Sequence, residues 1–262
     1  MKLTSRIGRS LLPVKPPPPA SRTEAFWSQE ATLVEIIPST PEAPARPKWP
    51  FDAVGEIGFV CAPGIATYYE GATERLAIIA EWATRRPSYV KAQPETAIIL
   101  IGGKKYKHFP DFLLKDAWGE RRMEAKSQTA MNDPVEVARF RAIADCYEAA
   151  GYRYELAPAT ALYDGAFADG VKWVFRNRLR SVSDKRRRSI LNSLPSGTAI
   201  SGGELATRLG LEFDDHLRRD LCALHAQGFC AIDLYAGVPS ATTALRKGPS
   251  SVAPPWLSAG EF

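Results

Sequence analysis

At 262 residues, 45% of them apolar, the chain is long enough for one large domain or two small ones, each with its own core. No apolar run approaches the roughly 20 residues that span a bilayer, and the basic N-terminus lacks a continuous apolar stretch, so neither a membrane protein nor a secretory leader is expected. The four scattered cysteines (Cys61, Cys146, Cys222, Cys230) disfavour a zinc site or disulfide framework and fit a cytoplasmic protein, while the formal charge of +5 permits a polyanionic partner without demanding one.

Residues 1–50 are rich in proline, including Pro16-Pro17-Pro18-Pro19, and read as a flexible N-terminal arm. Phe26-Trp27 and Leu33-Val34-Glu35-Ile36-Ile37 interrupt it, as a strap along the folded body or as a partner-binding peptide. Residues 51–165 read as an α/β domain on a mixed sheet. A helix is expected from about Tyr68, with Leu76, Ile79 and Ala80 on one face, until Arg86-Pro87 stops it. Thr96–Ile101 and Lys104–Phe109 form a hairpin around Gly102-Gly103. Asp111–Lys115 and Glu120–Lys126 form a second strand pair. Asp133-Pro134 opens a helix with Phe140, Ile143, Ala144 and Tyr147 on one stripe, and Tyr152–Leu156 is a last strand.

From residue 166 to 246 the pattern is mostly helical. Ser183 caps one helix, Ser201-Gly202-Gly203-Glu204 fits a capping box, and Asp214 or Asp215 starts a third helix ending at Gly228. With a strand over Phe229–Leu234, this predicts a winged-helix or related helix-turn-helix domain. Residues 247–262 read as a loose tail.

The chemistry concentrates at His108-Phe109-Pro110-Asp111-Phe112 and Met123-Glu124-Ala125-Lys126. Side chains alternate along a strand, so Glu124 and Lys126 point the same way, and a paired strand beginning at Asp111 reaches the same side. Two carboxylates and an ammonium so placed suit hard Mg²⁺, with Mn²⁺ able to substitute, and a phosphodiester. An isolated Glu-x-Lys is usually just the solvent face of a strand; the joint arrangement is what points to a nuclease. Glu70 and Glu74, one helical turn apart, supply a further carboxylate. Lys104, Lys105, Arg186, Arg187, Arg188, Arg218 and Arg219 are candidate DNA phosphate contacts, or solvated basic faces.

This order of motifs resembles the TnsA family, the endonuclease subunits of heteromeric cut-and-paste transposases, within the PD-(D/E)xK restriction-endonuclease-like superfamily. The resemblance spans residues 68–160 through Tyr69–Arg75, Gln93-Pro94-Glu95, Pro110-Asp111-Phe112, Glu124-Ala125-Lys126 and the helix leading to Gly151-Tyr152, and it extends from Lys172-Trp173 to Ile232. It implies a catalytic set of Glu74, Asp111, Glu124 and Lys126, with Glu74, Asp111 and Glu124 on the metal and Glu70 as an additional candidate. Gly71, Ala72 and Thr73 stand where the family places a serine and bulky apolar residues, so the choice between Glu70 and Glu74 stays open. The resemblance further implies cleavage of the 5′ strand at element ends, a partner transposase, an AAA+ ATPase regulator, and a cytoplasmic protein that joins the nucleoid on DNA. Another nuclease of the superfamily, from repair, restriction or phage, and a catalytically weak DNA-binding or assembly protein are the alternatives.

Overall fold

A computed structural model describes residues 23–40, 58–62, 64–163, 165–250, 254–258 and 261. A one-turn helix α1 (Glu24–Trp27) leads into β1 (Ala31–Pro38), and β2 (Gly58–Ala62) and β3 (Ile65–Tyr69) precede α2 (Ala72–Thr84). Then follow β4 (Tyr89–Ala92), β5 (Glu95–Ile101), β6 (Lys104–His108), β7 (Phe112–Asp116) and β8 (Gly119–Lys126). Next come the short α3 (Gln128–Met131), the long α4 (Pro134–Ala149), β9 (Arg153–Pro158) and α5 (Ala159–Tyr163). The C-terminal part comprises α6 (Gly165–Asn177), α7 (Asp184–Ser193), β10 (Ile200–Ser201), α8 (Gly202–Arg208) and α9 (Asp215–Ala226). It closes with β11 (Cys230–Ile232), a 3-10 turn at Leu234–Ala236, β12 (Ala244–Lys247) and β13 (Leu257–Ser258). The fold class is mixed α/β.

A five-stranded sheet, in the order β13-β9-β8-β7-β4, is the platform for the site. It is mixed, because β8 and β9 run parallel while β7 pairs antiparallel with both β8 and β4. Local chemistry sets its connections. Asp133 accepts the Val135 N–H at 2.9 Å and Pro134 begins α4 with its φ already fixed, so the crossover from β8 to β9 starts cleanly. A second sheet, β1-β5-β6, has Gly102 (φ 52°) and Gly103 (φ 76°) in its β5–β6 turn, the left-handed geometry that a two-residue hairpin needs.

Apolar side chains segregate into two clusters. Phe112, Leu114, Met123 and Ala125 pack with Leu76 and Ile79 of α2, Val171 and Val174 of α6, and Leu217 and Leu221 of α9. Ile143 and Tyr147 of α4 pack with Tyr154, Ile99 of β5 and Trp27. The first cluster crosses the boundary expected at residue 165, so the two parts share one core. His225 of α9 reinforces it, donating from Nε2 to the Ala83 carbonyl at 2.7 Å while Nδ1 accepts the Ile232 N–H at 3.0 Å.

Several expectations change. Tyr68 and Tyr69 end strand β3, so α2 begins only at Ala72 and Glu70 lies before the helix instead of on it. The arm is not uniformly flexible: β1 pairs antiparallel with β5 from Ala31↔Ile101 to Pro38↔Glu95, which is the strap reading. The rest of that arm lies outside the described residues. Residues 247–262 are not wholly a loose tail either, since Leu257 and Ser258 pair with Leu156 and Glu155 and Trp256 is 8% exposed. The Trp256 indole donates to Glu81 Oε1 at 2.5 Å. Glu81 also pairs with Arg121, which in turn holds Asp116. Glu81 and Arg121 are fully buried, so each charge requires its partners.

The C-terminal strands form a three-stranded sheet, β10-β12-β11, where one strand was expected. Ser201 accepts the Glu204 N–H at 3.1 Å as a capping box requires, but the Glu204 carboxylate pairs with Arg208 at 2.7 Å. Among the described residues no helix is long and apolar enough to cross a membrane.

Candidate functional site

Strand register brings the motif residues together. Phe112 lies opposite Met123 and Leu113 opposite Arg122, so Asp111, just ahead of β7, arrives beside the far end of β8. There its Oδ2 accepts the Ala125 N–H at 2.8 Å. Ala125 turns into the core, leaving Glu124 and Lys126 on the other face of the strand. Lys126 Nζ is 2.5 Å from Glu124 Oε1, and its ammonium also lies 5.4 Å from the centroid of the Phe140 ring on α4.

Glu74 comes from the first turn of α2. Its Oε2 accepts the Glu70 N–H at 2.8 Å, a box-like contact that ties the side chain to the helix start. The Glu70 N–H is thus engaged by Glu74, whose own carboxylate interacts with Lys126, Glu124 and Asp111. Burial pushes the Glu74 carboxyl up, Glu70 and Glu124 adding repulsion against the relief from the Glu70 N–H and Lys126.

The electrostatics are those of a crowded anionic centre. Burial raises the Asp111 carboxyl well above its ordinary range; Glu124 and Glu74 push the same way, against Lys126 and the Ala125 N–H. Glu124 behaves oppositely. Burial would raise it, but the Lys126 and His108 charges hold it below the usual range. Burial alone would lower the Lys126 ammonium, yet Glu124 and then Asp111 more than offset this and raise it, so it stays cationic at neutral pH.

The candidate ligands for a divalent cation are three carboxylates. Glu74, Asp111 and Glu124 offer hard carboxylate oxygens, and each has one oxygen engaged, by the Glu70 N–H, the Ala125 N–H and Lys126 respectively. Glu124 Oε2 is buried and makes no hydrogen bond. Three carboxylates face one ammonium, an imbalance that positive charge relieves. Among the described residues, no group of three or more His, Cys, Asp or Glu side chains is placed to hold a metal ion.

Some site neighbours are not evident in the sequence. His108, on the inward face of β6, is buried with Nε2 3.1 Å from the Tyr154 hydroxyl and 3.7 Å from Glu124 Oε2. Its only sequence signal is alternation with Tyr106, itself packed against the core. Burial lowers its pKa to about 4. Glu95 grips Arg122 through two contacts of 3.0 Å and accepts from the Tyr147 hydroxyl at 3.0 Å, an architectural role beneath the site.

The candidate DNA-contact residues divide. Lys104, Lys105 and Arg188 are exposed, the lysines on the outer strand of the β1-β5-β6 sheet. Arg187 pairs with Asp184 at 2.8 Å and covers the Phe229 ring. Arg186 shares Asp220 with Arg180. Arg218 donates to the Pro239 carbonyl at 2.7 Å and to Asp215, lying over Trp173 and Phe213, while Arg219 pairs with Asp215 at 2.6 Å. The structure therefore uses Arg186 and Arg218 to fasten helices together. Compared with known proteins, the chain matches no family model and finds no significant match among curated proteins.

Proposed function

We propose that the chain is a divalent-metal-dependent DNA endonuclease of the PD-(D/E)xK type and, within that class, a TnsA-like subunit that cleaves the 5′ strand at transposon ends. The observation that carries the nuclease reading is the convergence of Asp111, Glu124 and Lys126 at one end of the β7–β8 pair, with Glu74 contributed by the first turn of α2. The TnsA assignment rests on the order of the motifs. In the same reading, the α7-β10-α8-α9-β11-β12 succession is a winged helix appended to a restriction-endonuclease-like sheet.

Glu74, Asp111 and Glu124 would hold Mg²⁺ or Mn²⁺. When bound, the metal polarises the scissile phosphate and lowers the pKa of a water. Asp111 presents its carboxylate rigidly because the Ala125 N–H anchors the other oxygen. Lys126, cationic at neutral pH, donates hydrogen bonds and positive charge to the phosphate as negative charge develops on its oxygens, instead of acting as a base. Cytoplasmic placement, a transposase and an AAA+ ATPase partner belong to the same proposal.

A plasmid-nicking assay with Mg²⁺ or Mn²⁺ tests it. The wild-type chain should nick, while Asp111→Ala and Lys126→Ala should lose cleavage by at least two orders of magnitude with little change in fold. Activity surviving both changes removes the site. Arg186, Arg218 and Arg219 are engaged within the chain, which counts against their gripping DNA and keeps an assembly protein as the alternative reading. A chain inactive even with its transposase present would leave that assembly role as the reading.

A further inference from the structure

We infer that Arg139 on α4 is a DNA phosphate contact beside the carboxylates, and that Glu136 holds its guanidinium until the phosphodiester displaces it. This rests on the nuclease reading above and extends it to how the strand is gripped. Phe140, fully buried, links Arg139 to the site: Arg139 Cζ is 4.8 Å and Lys126 Nζ 5.4 Å from the same ring centroid.

The guanidinium is underused. Its Nε is buried and has no hydrogen-bond partner, and one Nη donates to Glu136 Oε2 at 2.5 Å. A guanidinium offers five donors in a planar fork that fits two phosphate oxygens at once. The Glu136 contact joins side chains 24% and 32% exposed, three residues apart on one helix. Such partly exposed pairs are weak and salt-sensitive, so a bidentate phosphate can displace the carboxylate. A guanidinium beside the carboxylates adds fixed positive charge where a polyanion must approach.

The test uses the full chain and an end-labelled DNA duplex, read by fluorescence anisotropy in Ca²⁺ across a salt series, with cleavage in Mg²⁺ measured alongside. Arg139→Ala should weaken duplex binding about tenfold and make the salt slope shallower by about one, as expected for one lost phosphate contact. Glu136→Gln should tighten binding roughly threefold, and that gain should vanish when combined with Arg139→Ala. Binding unchanged in both single variants, or weakened in Glu136→Gln, overturns the inference. Should Arg139→Ala fail to fold, Arg139→Lys keeps the charge without the fork and should fall between, while Glu136→Gln reads the competition alone. Wild type that cuts while the variants bind like it overturns this inference only. Wild type that neither cuts in Mg²⁺ nor binds the duplex overturns the nuclease reading and this inference together.

Discussion

Asp111→Asn should make the metal-free protein more stable while abolishing its response to metal. Burial, Glu124 and Glu74 all disfavour the charged form of Asp111, so its ionisation at neutral pH costs folding free energy. The amide keeps the side-chain shape and an oxygen to accept the Ala125 N–H, now at 2.8 Å. Two like charges 4 Å apart repel by about 4 kcal/mol at an effective dielectric of about 20. Loss of the attraction to Lys126 cancels part of that relief. Weakening a charge-assisted hydrogen bond to a neutral one costs about 1 kcal/mol more. The net expectation is a gain of about 1–2 kcal/mol, or roughly 3–6 °C in Tm for a chain of this size. Thermal melts in chelator, and again in Mn²⁺, read both effects. Wild type should gain about 2.7 kcal/mol at a metal concentration 100-fold above Kd, and Asp111→Asn almost nothing. A variant that melts below wild type in chelator, or that responds equally to Mn²⁺, refutes the account of Asp111 as a strained ligand.

Other outcomes follow from the fold. Trp256→Ala removes a buried indole and takes one of the donors from buried Glu81, so it should cost about 3–5 kcal/mol in chemical denaturation; a cost under about 1 kcal/mol would return the segment to the status of a tail. For His225, burial lowers the pKa to about 4 from the ordinary 6.5. The folded chain binds fewer protons than the unfolded one between those values, so His225 contributes fully above pH 6.5 and its contribution is lost as pH falls towards 4, by about 3 kcal/mol. Urea midpoints for wild type and His225→Gln should therefore converge on acidification. A gap that stays constant from pH 7 to 4 would contradict the neutral, bridging imidazole.

What the sequence revealed, and what it hid, divides by distance along the chain. The Gly102-Gly103 turn, the Asp133-Pro134 helix start and the caps at Ser183, Ser201 and Asp214 are local devices, and each lies where its residues predict. The relation of Asp111 to Glu124 was legible for the same reason, since a short turn fixes their register. Non-local pairing was not. Nothing near Leu33 announces that it will pair with Ile99, nor does the region of Trp256 signal a place against Glu81. The helix expected from about Tyr68 starts later, because Ile65, Thr67 and Tyr69 alternate inward as a strand. Arg186 gives no local hint of Asp220, 34 residues away, so a run of basic residues looked more available to DNA than it is.

Helix α2 has one further consequence. Its first turn presents Glu74, and just beyond its other end Arg86 donates to the Ala226 carbonyl at 3.1 Å, while Trp82 meets Phe175 edge-on at 5.8 Å. The rod is thus common property of both halves, so severing the chain near residue 165 would bare an oily wall on each fragment. Neither piece should remain soluble by itself, and whatever seizes the C-terminal half from outside tugs directly on the scaffold that aims Glu74.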